Sequence, residues 1–339
     1  MIRKRLLWGG YYLLASLILA ELALRLLAYE PYQHQAFAVQ SEPAGWLRGD
    51  SLYGFALTEG QYHIQLDSAY HFSARHLPEG RRSPKDENHT TSAETIDLYG
   101  CSYAYGYGVG EEHTLGALLE TASPNAQIRN WSVPGHGTTQ AWLRLQSQLA
   151  RGDTPQTVII LYASFHADRN SLTAEYRRGL KLGFSENTSE ETTARFRYPY
   201  LGDDGELHYQ AWEGLYEHWP GRTWSALINA LQSSIEFWQS SNRRKETLSL
   251  ELLLQIASLC EESGIRFLFC PLDRESESMR TKIAAQGYET IALSLDLSLP
   301  KWQNFPYDTH PNAAAHAHYA REIEKYLRQH PTQQRQNVR

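Results

Sequence analysis

Apolar and polar positions follow two different rhythms along this chain, and the change falls near residue 95. Beyond it, short apolar runs alternate with amphipathic stretches. Residues 95–100 (TIDLYG), 126–133 (AQIRNWSV), 156–164 (QTVIILYAS) and 264–272 (GIRFLFCPL) read as strands, with 288–294 as a fifth. Helical spacing recurs at 112–122, 138–150, 223–239, 248–263 and 312–328. Within 156–164 the run VIILYA is unbroken and apolar, as expected of a strand covered on both faces. Alternation of this kind predicts a parallel sheet with helices on both sides.

Before residue 95 the pattern is polar and aromatic. Residues 50–66 and 68–77 read as short strands with turns between them, and 79–94 (EGRRSPKDENHTTSAE) as a solvated loop. The expected organisation is therefore an amino-terminal segment over 1–29, an extension over 30–92 that packs on the main domain, a main α/β domain over 93–330, and a polar tail over 331–339. An insertion at about 170–222 is too long for an ordinary connection and is expected to form a lid or substrate-binding segment.

The first 29 residues carry Arg3, Lys4 and Arg5, then an apolar stretch long enough to span a bilayer as a helix. Glu21 and Arg25 interrupt it four residues apart, a spacing that lets them pair on one face, with Arg25 placed to snorkel. The basic start predicts a cytoplasmic amino terminus and an exported remainder. A cleaved signal peptide and a soluble amphipathic helix are the two other readings of the same stretch.

Composition narrows the partners. A formal charge of -6 gives no electrostatic case for nucleic acid. Three cysteines, Cys101, Cys260 and Cys270, make neither a disulfide framework nor a C-x-x-C pair, so a structural zinc site is not expected. Twenty-one tyrosines and nine tryptophans suit large cores and apolar or carbohydrate-facing clefts alike.

Ligands of such sheets bind at the carboxyl ends of the strands, and three loops there carry chemistry. After the first strand comes GCSYAYGYGV, with Ser102 among glycines; after the second, NWSVPGHGTTQ; before the last helix, FPYDTHPNAAAHAHYA. In the last, Asp308 lies two residues before His310, so the carboxylate can orient an imidazole that takes a proton from a serine hydroxyl. Pro311 suits a first helical turn. Equally, Asp308 or Asn312 can simply cap the helix, and Ser102 can be a turn residue.

Together these blocks resemble the SGNH (GDSL-like) hydrolase superfamily, over roughly residues 96–327 less the insertion. YGYGV and DTHPN are similar to membrane-anchored bacterial members. The resemblance implies a flavodoxin-like αβα sandwich with a parallel sheet, here preceded by a transmembrane helix, and a serine mechanism for cleaving or transferring acyl esters. With no His-rich ligand pattern in the sequence, no metal is expected, and no other cofactor. It assigns Ser102 as nucleophile, His310 as base and Asp308 as its orienting acid. The backbone N–H groups of Ser102 and Gly135 would hold the oxyanion. Two departures stand out. Cys101 replaces the aspartate of the GDS block. The asparagine usual after the third strand is missing from YASFHADRN, where His166 is expected to donate instead and Asn170 only if the loop folds back. His136 flanks Gly135 and is placed to line the cleft; His316 and His318 read as packing or surface residues.

The function so implied is a serine esterase acting on an acyl ester, with O-acetyl the expected group, on a cell-envelope carbohydrate or lipid. Its expected location is the bacterial inner membrane, single-pass, with the catalytic domain on the periplasmic or extracytoplasmic side. An O-acyltransferase using the same triad, or a catalytically weak glycan- or partner-binding protein, are the alternatives.

Overall fold

The computed structural model describes residues 2–33, 39–67, 70–83, 94–185, 189–241 and 244–331. Most of the expected solvated loop (84–93) and of the polar tail (332–339) lies outside the described residues. The chain opens with one helix, α1 (Ile2–Leu26), and continues into short strands β1 (Gln40–Glu42), β2 (Leu47–Asp50), β3 (Gly54–Leu57), β4 (Gly60–Asp67) and β5 (Tyr70–His76). β1, β4 and β5 form an antiparallel sheet, and β2 pairs with β3.

The main domain then runs β6 (Glu94–Tyr99), α2 (Ser102–Tyr105), α3 (Leu115–Ala122), β7 (Ala126–Asn130), α4 (Thr138–Ala150), β8 (Thr157–Tyr162) and α5 (His166–Asn170). Next come α6 (Ala174–Ser185), α7 (Glu190–Arg195) and a hairpin of β9 (Arg197–Leu201) and β10 (Leu207–Ala211). The chain closes with α8 (Ala226–Ser241), α9 (Lys245–Glu262), β11 (Arg266–Pro271), α10 (Glu277–Ala285), β12 (Glu289–Thr290) and α11 (Ala313–Gln329).

The central sheet has five strands in the order β12-β11-β8-β6-β7, all parallel. Strand alternation divides its side chains between two cores. Ile96, Leu98, Ile159 and Leu161 face α3 and α11, where they meet Leu119, Tyr319 and Ile323. Tyr99, Val158, Ile160 and Tyr162 face the other way, onto Leu145 of α4 and Leu253 and Ile256 of α9. β8, every residue of it buried, is the middle strand that its unbroken apolar run predicts. The fifth strand is only two residues long, because Ile291 and Leu293 go into the core as irregular chain beyond it.

A third core joins the extension to the insertion. Phe55, Leu57, Tyr62 and Phe72 pack with Leu180, Phe184, Phe196 and Tyr198, and with Tyr105 and Tyr107 from the turn after β6. One expectation is corrected here: Arg81 and Arg82, read as part of a solvated loop, are both buried. Arg82 donates from Nη1 to the Tyr105 and Gly106 carbonyls at 3.1 and 2.6 Å, and from Nη2 to Val109 O at 2.8 Å. A guanidinium satisfies several carbonyls of one turn at once, which offsets the cost of burying its charge.

Candidate active site

The turn that carries Ser102 is fixed by close approach. β6 ends at Tyr99, and a Cβ at Gly100 would come within 2.6 Å of Ala104 Cβ and 3.0 Å of Leu161 O, so only glycine fits. Cys101, fully buried, follows, and Ser102 opens α2. Burial pushes the Cys101 thiol up, away from the thiolate a nucleophile would need.

The loop before α11 is held by its own side chains. Asn312 is the N-cap, its Oδ1 accepting from Ala314 N and Ala315 N at 3.1 Å. Its Nδ2 donates to Lys301 O at 3.0 Å and Gln303 O at 2.8 Å. Pro311 consequently sits ahead of the cap and not in the first helical turn, correcting the sequence expectation. Asp308, freed from capping, accepts from His310 N at 2.7 Å and from His310 Nδ1 at 2.6 Å.

That second bond sets the tautomer. Nδ1–H donates to the carboxylate, which leaves Nε2 to accept, and Nε2 lies 2.9 Å from Ser102 Oγ. Desolvation opposes ionisation of Asp308, but its hydrogen bonds with His310 and the charge across the pair outweigh it, holding the carboxyl below its usual range. The imidazole is packed by Tyr107, ring centroids 4.6 Å apart, and by Tyr103 at 5.4 Å. Ser102, His310 and Asp308 thus form one continuous hydrogen-bonded chain, and the Ser102–His310 end of it opens into a cavity of about 260 Å³.

Apolar groups make most of the cavity wall: Val39, Trp46, Leu47 and Phe55 from the extension, Leu180 and Phe184 from α6. Gly135 lines it as well. Its φ of +86° is left-handed backbone, and a Cβ there would meet Phe55 Cζ at 2.9 Å. Its carbonyl accepts from the Tyr176 hydroxyl and, at 3.4 Å, from that of Tyr198.

The YASFHADRN block after β8 departs from expectation. His166 is not among the cavity-lining residues. It is buried, its ring 5.0 Å from that of Tyr162 and its Nδ1 3.3 Å from Thr138 Oγ1. Desolvation, followed by the nearby Arg169 charge, keeps it neutral. Asn170 turns to the start of α4, where Oδ1 accepts from Thr138 N at 2.7 Å and Thr139 N at 3.2 Å. His136 is also buried, with Nε2 2.8 Å from Phe55 O, and it does not line the cavity. The side chain that this block brings to the cavity is Arg169. Its Nη1 donates to His136 O at 2.8 Å, and its guanidinium lies 4.2 Å from the Phe165 ring centroid. A cation next to a serine turn is visible only once the fold brings α5 alongside it, since the sequence around Arg169 has no motif of its own.

No protein family and no curated protein matches the chain. Among solved structures it is similar to a member of the lipolytic protein G-D-S-L family from Veillonella parvula, with 11% identity and a TM-score of 0.40, covering 70% of this chain and 99% of that one. A psychrotrophic esterase, EstA from Pseudoalteromonas, shares 14% identity with a TM-score of 0.38, covering 70% and 97%. Overlap at this level carries no chemistry, and the site is read from its own geometry.

Proposed function

We propose that this chain is a serine ester hydrolase of the SGNH type, with Ser102 as nucleophile, His310 as general base and Asp308 as the group that orients it. The observation that carries the reading is the 2.9 Å contact between Ser102 Oγ and a His310 Nε2 whose opposite nitrogen is committed to Asp308. Ser102 Oγ attacks the ester carbonyl carbon as Nε2 takes its proton. The imidazolium formed is stabilised by the Asp308 carboxylate and then protonates the departing alcohol. Water, deprotonated by the same nitrogen, releases the acyl group from Ser102.

The tetrahedral intermediate puts negative charge on the former carbonyl oxygen. Backbone N–H groups of Ser102 and Gly135 are the donors proposed for it, joined by Arg169 in place of His166, because Arg169 lines the cavity and His166 does not. The apolar wall favours an acyl group with a hydrocarbon tail over the bare acetyl group expected from the sequence, since each buried methylene adds about 0.8 kcal/mol. An acceptor hydroxyl in place of water would turn the same acyl-enzyme into a transferase.

The apolar stretch Lys4–Leu26 within α1 is 23 residues long, enough to cross a bilayer. We read it as the anchor of an exported domain whose ester substrate is a cell-envelope carbohydrate or lipid. The test is labelling of the full chain in detergent by a serine-directed phosphonate, together with hydrolysis of activated acyl esters. Both are expected in the parent and lost in Ser102→Ala. A well-folded parent that takes no label and cleaves no ester overturns the reading and favours a binding protein.

A further inference from the structure

Helix α8 is built inside out for a protein in water. Its polar side chains Asn229, Gln232, Ser233 and Glu236 face the protein. Arg222, itself buried, donates to Asn229 Oδ1 at 2.9 Å and Ser233 Oγ at 3.0 Å. Gln232 Nε2 donates to Glu236 Oε1 at 2.8 Å, and Glu236 also accepts from the Tyr216 hydroxyl at 2.7 Å and pairs with Arg178 at 3.3 Å.

The opposite face carries Leu231, Ile235 and Trp238, exposed by 48, 40 and 66%. Spacings of four and three residues keep these three on one face of α8 over about 10 Å, at 1.5 Å per residue, and Trp224 is exposed by 76% two residues before the helix begins. Glu236, the helix's single charged residue, is turned away from that face. Single exposed apolar residues are ordinary, but a charge-free stripe with two tryptophans opposite a polar face satisfied within the protein is not.

The stripe is continuous with α1. Glu21, one of the two charges interrupting the apolar helix, accepts from Ser225 Oγ at 2.8 Å, Ala226 N at 3.0 Å and Leu227 N at 2.8 Å, so it caps α8. Arg25 pairs with Glu21 at 2.6 Å and donates to Trp224 O at 2.7 Å. The end of the candidate span is therefore bonded to the beginning of the exposed stripe.

We propose that α8 lies in the interface of the bilayer that α1 crosses, with Trp224, Leu231, Ile235 and Trp238 immersed among the lipids. The inference rests on the reading of α1 as a membrane span. Tryptophans concentrate at this depth because their rings are apolar and their N–H groups need a polar partner. One consequence reaches the cavity: α6, whose Leu180 and Phe184 line it, also carries the Arg178 that bonds to α8. An acyl chain at the outer face of α8 would be separated from the cavity by α8 and α6, two helix diameters or ~20 Å.

The test uses the full chain in vesicles of phosphatidylcholine and phosphatidylglycerol. Single cysteines replacing Leu231, Ile235 and Trp238 carry a nitroxide spin label, with Leu14→Cys on α1 and Glu261→Cys on α9 as references. The native cysteines are buried and escape the reagent. Each variant is checked for melting like the parent. Collision of the label with oxygen is expected to exceed collision with a water-soluble nickel chelate several-fold at the three α8 sites and at residue 14, with the reverse at residue 261. Nickel access at all three α8 sites, with residue 14 in lipid, overturns the inference and leaves the span intact. Nickel access at residue 14 too overturns the span itself. Exclusion of both reagents from α8 overturns the inference in favour of a second copy or another protein covering the stripe.

Discussion

Ser102 Oγ and His310 Nε2 stand 2.9 Å apart although 208 positions separate them in the chain. Neither side chain achieves this alone. Ser102 is presented by a turn that tolerates only glycine at position 100, and His310 by a loop tied to α11 through Asn312. Asp308 supplies the remaining constraint, because its oxygen fixes which ring nitrogen carries the proton.

Asp308→Asn tests that constraint with almost no change in volume. The amide can donate to Nδ1, which drives the ring proton to Nε2 and removes the acceptor facing Ser102. Ester turnover is expected to fall on the order of 10³–10⁴-fold, with KM and melting little altered. Steady-state kinetics beside a melting curve check it; a loss under tenfold would mean that His310 does not need its carboxylate.

Arg169 poses a sharper question, since its guanidinium both braces His136 O and lines the cavity. Arg169→Met should lower kcat by about a hundredfold, the effect of losing one oxyanion donor, while KM changes little. Arg169→Lys keeps the charge without the planar fork and should recover part of the loss. A fall in melting temperature with kcat preserved in the folded enzyme would instead mark Arg169 as a brace.

Much of this site was legible because serine, aspartate and histidine sit at strand ends and loop ends, where the alternation of apolar and polar runs already locates them. The five-stranded parallel sheet follows from the same alternation. What escaped was chemistry set by tertiary approach. Arg82 lies in a charged stretch that reads as solvent-exposed, yet it is buried because the carbonyls of 105, 106 and 109 come together around it. His166 and Asn170 looked like donors by position along the chain, but the start of α4 claims Asn170 and a neutral, buried pocket claims His166. α10 was missed because only Met279 and Ile283 of its nine residues are buried, too few for a periodic signal.

Gly179 and Gly183 line the cavity from α6, and an added Cβ at either meets nothing within 4 Å. Substitution there fills space without strain, and leucine suits a helix better than glycine. In the parent, kcat/KM should rise about fourfold per methylene from acetyl toward longer acyl esters, until the cavity is full. Gly179→Leu should flatten that rise and cost the octanoyl ester at least ~10-fold relative to acetyl. An unchanged chain-length profile would place the acyl group elsewhere.

Acid should unfold this protein at mild pH. His76, His136 and His316 are each pushed down to about 3, chiefly by burial, and His166 lies well below its ordinary 6.5 for the same reason. In the unfolded chain these rings protonate near pH 6.5. Between pH 6.5 and 3 the unfolded state therefore binds more protons than the folded one, and stability falls as pH falls. Each ring contributes about 1.4 kcal/mol per pH unit in that window, and four together on the order of 5 kcal/mol per unit. Against a total stability of roughly 5–15 kcal/mol, two units below 6.5 is enough to unfold a typical domain. Asp308, held below its ordinary 3.8, works in the same direction only at lower pH. Melting temperature should be nearly flat from pH 8 to 7 and drop steeply below pH 6. His316→Asn keeps an acceptor for Leu115 N, which now bonds to Nδ1 at 3.1 Å, and does not titrate. Its curve should be shallower by about a quarter, one ring in four. A melting temperature that holds level down to pH 4.5 would show that these rings are not buried neutral.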